Sequence, residues 1–89
     1  MRKYQLVFYT KALRQLAKLD FFTQKRIQAY LNRHVHDSED PRAHGKELTE
    51  MASGFWRYRI GDYRVICEIH DGVCEVIAMQ IGHRSKIYS

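Results

Sequence analysis

The sequence predicts an α+β domain in the order β-α-α-β-β-β, with a helical hairpin packed on one face of a largely antiparallel four-stranded sheet. Three observations carry that expectation. Residues 3 to 9, "KYQLVFY", partly alternate and hold aromatic and β-branched side chains, as a strand does. Two stretches between residues 11 and 36 repeat their apolar positions every three or four residues, as core-facing helices do. Residues 55 to 81 then divide into three strand-like runs at two glycine-containing turns. The 89 residues leave room for one domain, residues 1–89, with one modest core, because a chain this short buries only roughly 60 to 65% of its unfolded surface.

After the first strand, Thr10 has the side chain of an N-cap, and Ala12, Leu13, Leu16 and Leu19 lie on one side of a helix from Lys11 to Leu19. Asp20 ends that helix and caps the next, about Phe21 to His36. There Ile27, Tyr30, Leu31, His34 and Val35 form the apolar stripe, opposite Gln24, Lys25, Gln28, Asn32 and Arg33. The short link makes the pair an antiparallel hairpin. Residues 37 to 54 have no clear period and read as a long connection with room for a short helical turn. Strands follow at 55 to 60, 63 to 69 and 73 to 81, with two-residue loops at Gly61-Asp62 and Asp71-Gly72.

Composition narrows the class. The chain is 45% apolar with one Pro and five Gly, as a folded domain is and a disordered or fibrous chain is not. No apolar run approaches the ~20 residues that span a bilayer, and "MRKYQLVFYT" lacks a signal peptide's apolar stretch, so the expectation is a cytoplasmic protein with no membrane partner. Cys67 and Cys74 form no C-x-x-C and read as buried thiols of a reducing compartment. His34 and His36 stand two apart on a helix, and His44 and His70 in a loop and at a turn, so no metal site is expected. Fifteen Lys and Arg against ten acids give net charge +5 and a pI near 9.4, a balance that favours polyanionic partners.

The charge concentrates on one hairpin. A two-residue loop at Gly61-Asp62 sets Ile60 opposite Tyr63, Arg59 opposite Arg64 and Tyr58 opposite Val65; one at Asp71-Gly72 sets Ile69 opposite Cys74 and Cys67 opposite Val76. One face then collects Trp56, Tyr58, Ile60, Tyr63, Val65, Cys67, Ile69, Cys74, Val76 and Ala78, and belongs under the helices. The other collects Arg57, Arg59, Arg64, Ile66, Glu68, Ile77 and Met79. Like charges facing each other across strands cost about as much as the ~0.2 to 1 kcal/mol that favourable pairs contribute. Folding gains nothing from that arrangement, whereas the planar fork of arginine grips phosphate oxygens in pairs. The alternative is that Glu68 or a loop acid neutralises the cluster, or that its side chains splay into water.

The run "FWRYRIGDYRVICEI", followed after a hairpin by "VIAMQIGHRSKIY", resembles the C-terminal half of RelE/ParE-superfamily toxins of toxin-antitoxin pairs, the RelE branch above all. The basic first strand, the helical hairpin and "G-K-x-L" (Gly45, Lys46, Leu48) also fit, so the resemblance covers almost the whole chain. It implies a RelE-like microbial ribonuclease fold. It further implies an endoribonuclease that cuts messenger RNA in the ribosomal A site without metal or cofactor and is silenced by a cognate antitoxin. The implied chemistry is attack by the 2′-hydroxyl on phosphorus, leaving a 2′,3′-cyclic phosphate and a 5′-hydroxyl.

Carried over by position, Arg64 of "GDYR" matches the phosphate-stabilising arginine, Arg84 of "GHR" the second catalytic arginine, and Tyr88 the tyrosine that stacks on or orients a base. Arg57 and Arg59, with Lys46, fall where basic residues contact phosphate. His83 is a candidate for proton transfer, as related toxins use a C-terminal histidine that way. Continuing the alternation from Met79 puts Ile81 and His83 on the arginine face and Arg84 on the core face, unless Gly82 breaks the alternation or Arg84 lies beyond the regular strand. The antitoxin is expected to lay an acidic, amphipathic segment on the basic face or the helical hairpin. Two other readings stay open: a ParE-like inhibitor of DNA gyrase, and a catalytically weak relative, the latter because Thr49 and Glu50 stand where some RelE-branch members carry an arginine.

Overall fold

The computed structural model describes residues 2–48 and 54–86. Its elements are β1 (Gln5–Phe8), α1 (Thr10–Ala17), α2 (Phe21–His34), a 3-10 turn (Pro41–Ala43), β2 (Lys46–Leu48), β3 (Phe55–Ile60), β4 (Tyr63–His70) and β5 (Glu75–His83). The sheet runs β1-β5-β4-β3-β2, with β1 parallel to β5 and every other neighbour antiparallel. Both helices pack on one face, as expected.

The fifth strand, β2, lies inside the connection that shows no period in the sequence, because three residues are too few to display one. Gly45 makes it possible. Its φ is +84°, and a Cβ there would stand 2.4 Å from the Arg57 carbonyl oxygen and 2.6 Å from Trp56 Nε1, so only glycine lets the chain lie this close to β3. Gly45→Ala is expected to lower stability by about 1–3 kcal/mol, the usual scale of forced backbone strain, read as a lower midpoint in urea unfolding.

Helix α1 starts at Thr10 rather than being capped by it. The Tyr9 N–H is donated to Ala78 O (2.9 Å), so strand pairing persists to Tyr9, which is the N-cap without a side-chain bond. Asp20 caps α2 as expected: Oδ2 accepts the Thr23 N–H (3.1 Å) and Oδ1 the Thr23 hydroxyl (2.6 Å). These bonds, the hydroxyl's first, hold its carboxyl below the ordinary aspartate range. The helix ends two residues earlier than the periodicity predicts. Leu31 O accepts both the Val35 and His36 amides, and Asp37 at φ +59° turns the chain back so that its N–H reaches Tyr4 O (2.9 Å).

Ala12, Leu16, Ile27, Leu31 and Val35 from the helices meet Tyr58, Ile60, Val65, Cys67, Val76, Ala78 and Ile81 of the sheet in one core. Tyr30 and His34 sit at its margin. Tyr58 is fully buried and its hydroxyl donates to Pro41 O (2.6 Å), tying the 3-10 turn to the core. Both cysteines are free and buried, and burial pushes the Cys67 thiol well above its ordinary pKa.

The first hairpin has the expected register, with Arg59 opposite Arg64 and Ile60 opposite Tyr63. The second departs from it. Its turn takes four residues, 71 to 74, with Cys74 at φ +51°, so Ile69 faces Val76 and Cys67 faces Ala78. Up to Ala78 the slip is two residues, an even number, and keeps Val76 and Ala78 on the core face. Asp71 anchors this turn by accepting from Arg42 (2.9 and 3.2 Å) and from the Tyr4 hydroxyl (2.6 Å).

Those bonds, Arg42's first, hold the Asp71 carboxyl below its ordinary 3.8. A depressed carboxylate contributes stability that is whole above the unfolded-state pKa and is lost as pH falls through the folded one. Wild type is therefore expected to be more stable than Asp71→Asn by a constant margin at neutral pH. That margin shrinks once the pH drops below about 3.8, which thermal melts across an acid series will show.

Candidate functional site

The irregularity that matters most is a bulge in β5. Ile66 pairs with Gln80 but Cys67 with Ala78, leaving Met79 as an extra residue. Beyond it the alternation inverts. Ile81 enters the core at 2% exposure, Gly82 faces Arg64, and His83 faces Tyr63. The sequence placed any break at Gly82 and left Ile81 on the arginine face; the bulge comes three residues earlier. Strand pairing in effect continues past β5, since the Arg84 N–H donates to Asp62 O (2.8 Å) and Arg84 Nε lies 3.9 Å from Asp62 Oδ1.

Arg57, Arg59 and Arg64 thus share the face away from the helices, and Lys46 joins them as the cross-strand partner of Arg57. Arg84 lies beyond the regular strand, which ends at His83, and stands beside Asp62 at the turn that joins β3 to β4. Within this group Arg64 stands out, because its Nε and Nη1 are covered from solvent and have no hydrogen-bond partner. Two covered guanidinium donors without an acceptor are costly.

The surroundings are of two kinds. On the same face, Leu48, Ile66 and Phe55 make a small second apolar cluster. It floors a groove of about 390 Å³, together with Tyr9, Lys11, Met79 and Gln80. At the β3 edge, Tyr30, Gly45, Lys46, Arg57 and Arg59 line a smaller hollow of about 200 Å³. Glu68 gives an oxygen to His70 Nε2 (2.9 Å).

His83 is on the helix side of the sheet, its ring edge-on to Tyr63 at 5.5 Å. Its Nδ1 accepts the Ser85 N–H (3.2 Å) and lies 2.8 Å from Ser85 Oγ. An amide only donates, so the neutral ring carries its proton on Nε2. Tyr88, Thr49 and Glu50 lie outside the described residues. Among the described residues no group of three or more potential ligands is placed to hold a metal ion, and no helix is long and apolar enough to cross a membrane.

Arg26 carries no local signal of its place in the fold. It projects from α2 over the β3–β4 turn, its guanidinium atoms 2.8 to 3.1 Å from where a Cβ on Gly61 would stand. It adjoins the core residue Ile27 in the chain, and nothing local marks which strand turn such a residue meets.

Comparison with solved structures finds the same fold in the toxin-antitoxin complex RelBE2 of Mycobacterium tuberculosis, at 28% identity and TM-score 0.77 over 93% of this chain and 100% of that one. The intact Escherichia coli RelBE complex matches at 23% and 0.72 over 90% and 95%, and the archaeal RelE-RelB complex of Pyrococcus horikoshii at 20% and 0.70 over 96% and 99%. No curated protein matches the chain. Residues 6–88 match the family model described as the ParE toxin of the type II toxin-antitoxin system parDE, a match over nearly the full length that agrees with the fold and the basic hairpin: the chain belongs to this toxin family of the RelE/ParE superfamily.

Proposed function

We propose that this toxin is a RelE-like endoribonuclease that cleaves messenger RNA in the ribosomal A site of the cytoplasm. The observation that carries the reading is the gathering of Arg57, Arg59 and Arg64 on the open sheet face, Arg64 set opposite Arg59. A phosphodiester supplies the negative charge that this cluster lacks. The ribose 2′-oxygen attacks phosphorus as its proton passes to water, and the bond to the 5′-oxygen breaks as water protonates that oxygen. The products are a 2′,3′-cyclic phosphate and a 5′-hydroxyl. Arg64 and Arg84 stabilise the charge that builds on the phosphate oxygens. Arg57, Arg59 and Lys46 hold the neighbouring phosphates.

The arginines remain protonated and do not serve as base. His83 stands on the helix side of the sheet, away from the arginines, and is assigned no step; Tyr88 is assigned the stacking of a base. No step calls for a metal or cofactor. The partner is an antitoxin, as in the RelBE complexes that share the fold; the basic face suits an acidic amphipathic segment.

A second reading rests on the family model itself, whose description names the ParE toxin: an inhibitor of DNA gyrase that cuts no RNA. The deciding experiment adds purified toxin to programmed ribosomes and maps RNA ends, beside a gyrase supercoiling assay. The expected result is a cut within the A-site codon, a cyclic phosphate on the upstream fragment, and undisturbed gyrase. Gyrase inhibition with intact messenger overturns the nuclease reading, and RNA binding without a cut supports a catalytically weak relative.

A further inference from the structure

Helix α2 runs along β3 from the Gly61 turn, where Arg26 sits, toward the other end, where His34 meets His44 at 4.2 Å between rings and His44 O accepts from Trp56 Nε1. The tip of the helical hairpin therefore projects past the end of the sheet that carries Gly61, Asp62 and Arg84. Gln15 fixes α1 to that same end, its Oε1 accepting the Ile81 N–H at 2.7 Å. Phe21 and Phe22 stand at this tip, 73% and 76% exposed. They lie roughly 6 to 7.5 Å beyond Arg26 along the axis at 1.5 Å per residue.

Two adjacent, nearly bare phenylalanines add nothing to folding in a domain short of core. Their neighbours are cations. Lys25 Nζ lies 5.4 Å from the Phe21 ring centre, Arg26 follows, and Lys18 precedes them on the exposed link. The nearby acids are engaged, Asp20 by Thr23 and Asp62 by Arg84. Bare aromatic rings beside Lys18, Lys25 and Arg26, which outnumber the Asp20 carboxylate, match a chain that alternates flat bases with phosphates.

We infer that the helical tip, Phe21 and Phe22 with Lys25 and Arg26, is a second RNA-binding surface, continuous with the arginine face around the Gly61-Asp62 turn. Unstacked bases lie on the two rings while Arg26 and Lys25 take the flanking phosphates. The inference rests on the nuclease reading and extends its RNA path past the reacting phosphate. Messenger and ribosomal RNA both present such bases, and the two binding partners below separate them.

The test compares wild type, Phe21→Ala/Phe22→Ala, Phe21→Tyr/Phe22→Tyr and Arg26→Gln for binding to a short unstructured RNA oligonucleotide and to programmed ribosomes. All replace exposed side chains, and thermal melts check that each variant is folded. The double alanine variant is expected to bind about tenfold or more weakly, the scale of a lost base stack, and the tyrosine variant to recover. Arg26→Gln is expected to lower the salt dependence of oligonucleotide binding by about 0.7 in the log-log slope. Loss on the free oligonucleotide assigns the tip to messenger; loss on ribosomes alone assigns it to ribosomal RNA. Wild-type affinity of the alanine variant in both assays, with the protein folded, overturns the inference and leaves the tip to a protein partner. If wild type itself binds neither, the nuclease reading has failed and this inference falls with it.

Discussion

Arg64→Ala is expected to lower the rate of RNA cleavage about 100- to 1,000-fold, the usual effect of removing one donor aimed at transition-state charge. The loss is expected in kcat more than in binding, since Arg57, Arg59 and Lys46 still hold the RNA. Stability is expected to stay level or to rise. The substitution removes both covered donors that lack a partner and separates the like charges that Arg59 and Arg64 bring face to face. Arg64→Lys keeps the charge without the planar fork and is expected to recover only part of the rate. Single-turnover cleavage and thermal melts measure both quantities. A variant that cuts RNA at the wild-type rate would remove the basis of the proposed mechanism.

Leu31→Ala is expected to lower stability by about 2–5 kcal/mol, the range for deleting a fully buried leucine side chain. Leu31 is 0% exposed, at the centre of the single layer between α2 and the sheet, and no second layer stands behind it to fill the gap. Against the ~4–13 kcal/mol that a domain of this size holds in total, the loss is a large share. The thermal midpoint is expected to fall by about 10–30 °C. Exposed Leu13, at 49%, is the control; its alanine variant is expected to melt close to wild type. A small shift for Leu31→Ala would mean that the helices contribute less to the core than their burial indicates.

The contrast between those leucines separates what the chain shows locally from what it hides. Periodicity marked both as core-facing, and only Leu31 is buried; α1 is two turns long, so its stripe is too short to define a direction closely. The first hairpin was legible because Gly61, at φ +59°, makes the two-residue loop its sequence predicts, and that loop alone sets Arg59 opposite Arg64. The second was not, because Asp71 takes its partners from Tyr4 and Arg42, distant in the chain, and those bonds help hold a four-residue turn that "DG" does not announce.

By itself, then, the sequence determined the element order, the helical stripe of Ile27, Leu31 and Val35, the Asp20 cap, and the common face of Arg57, Arg59 and Arg64. Each follows from the period of a helix or strand, or from a turn closed by adjacent residues. The tertiary structure alone decided that β2 joins the sheet, that the bulge at Met79 carries Ile81 into the core and His83 to the helix side, and that Arg26 lies over Gly61. These depend on how closely separate segments approach, and a bulge of one residue reverses every side chain after it without leaving a mark in the local pattern.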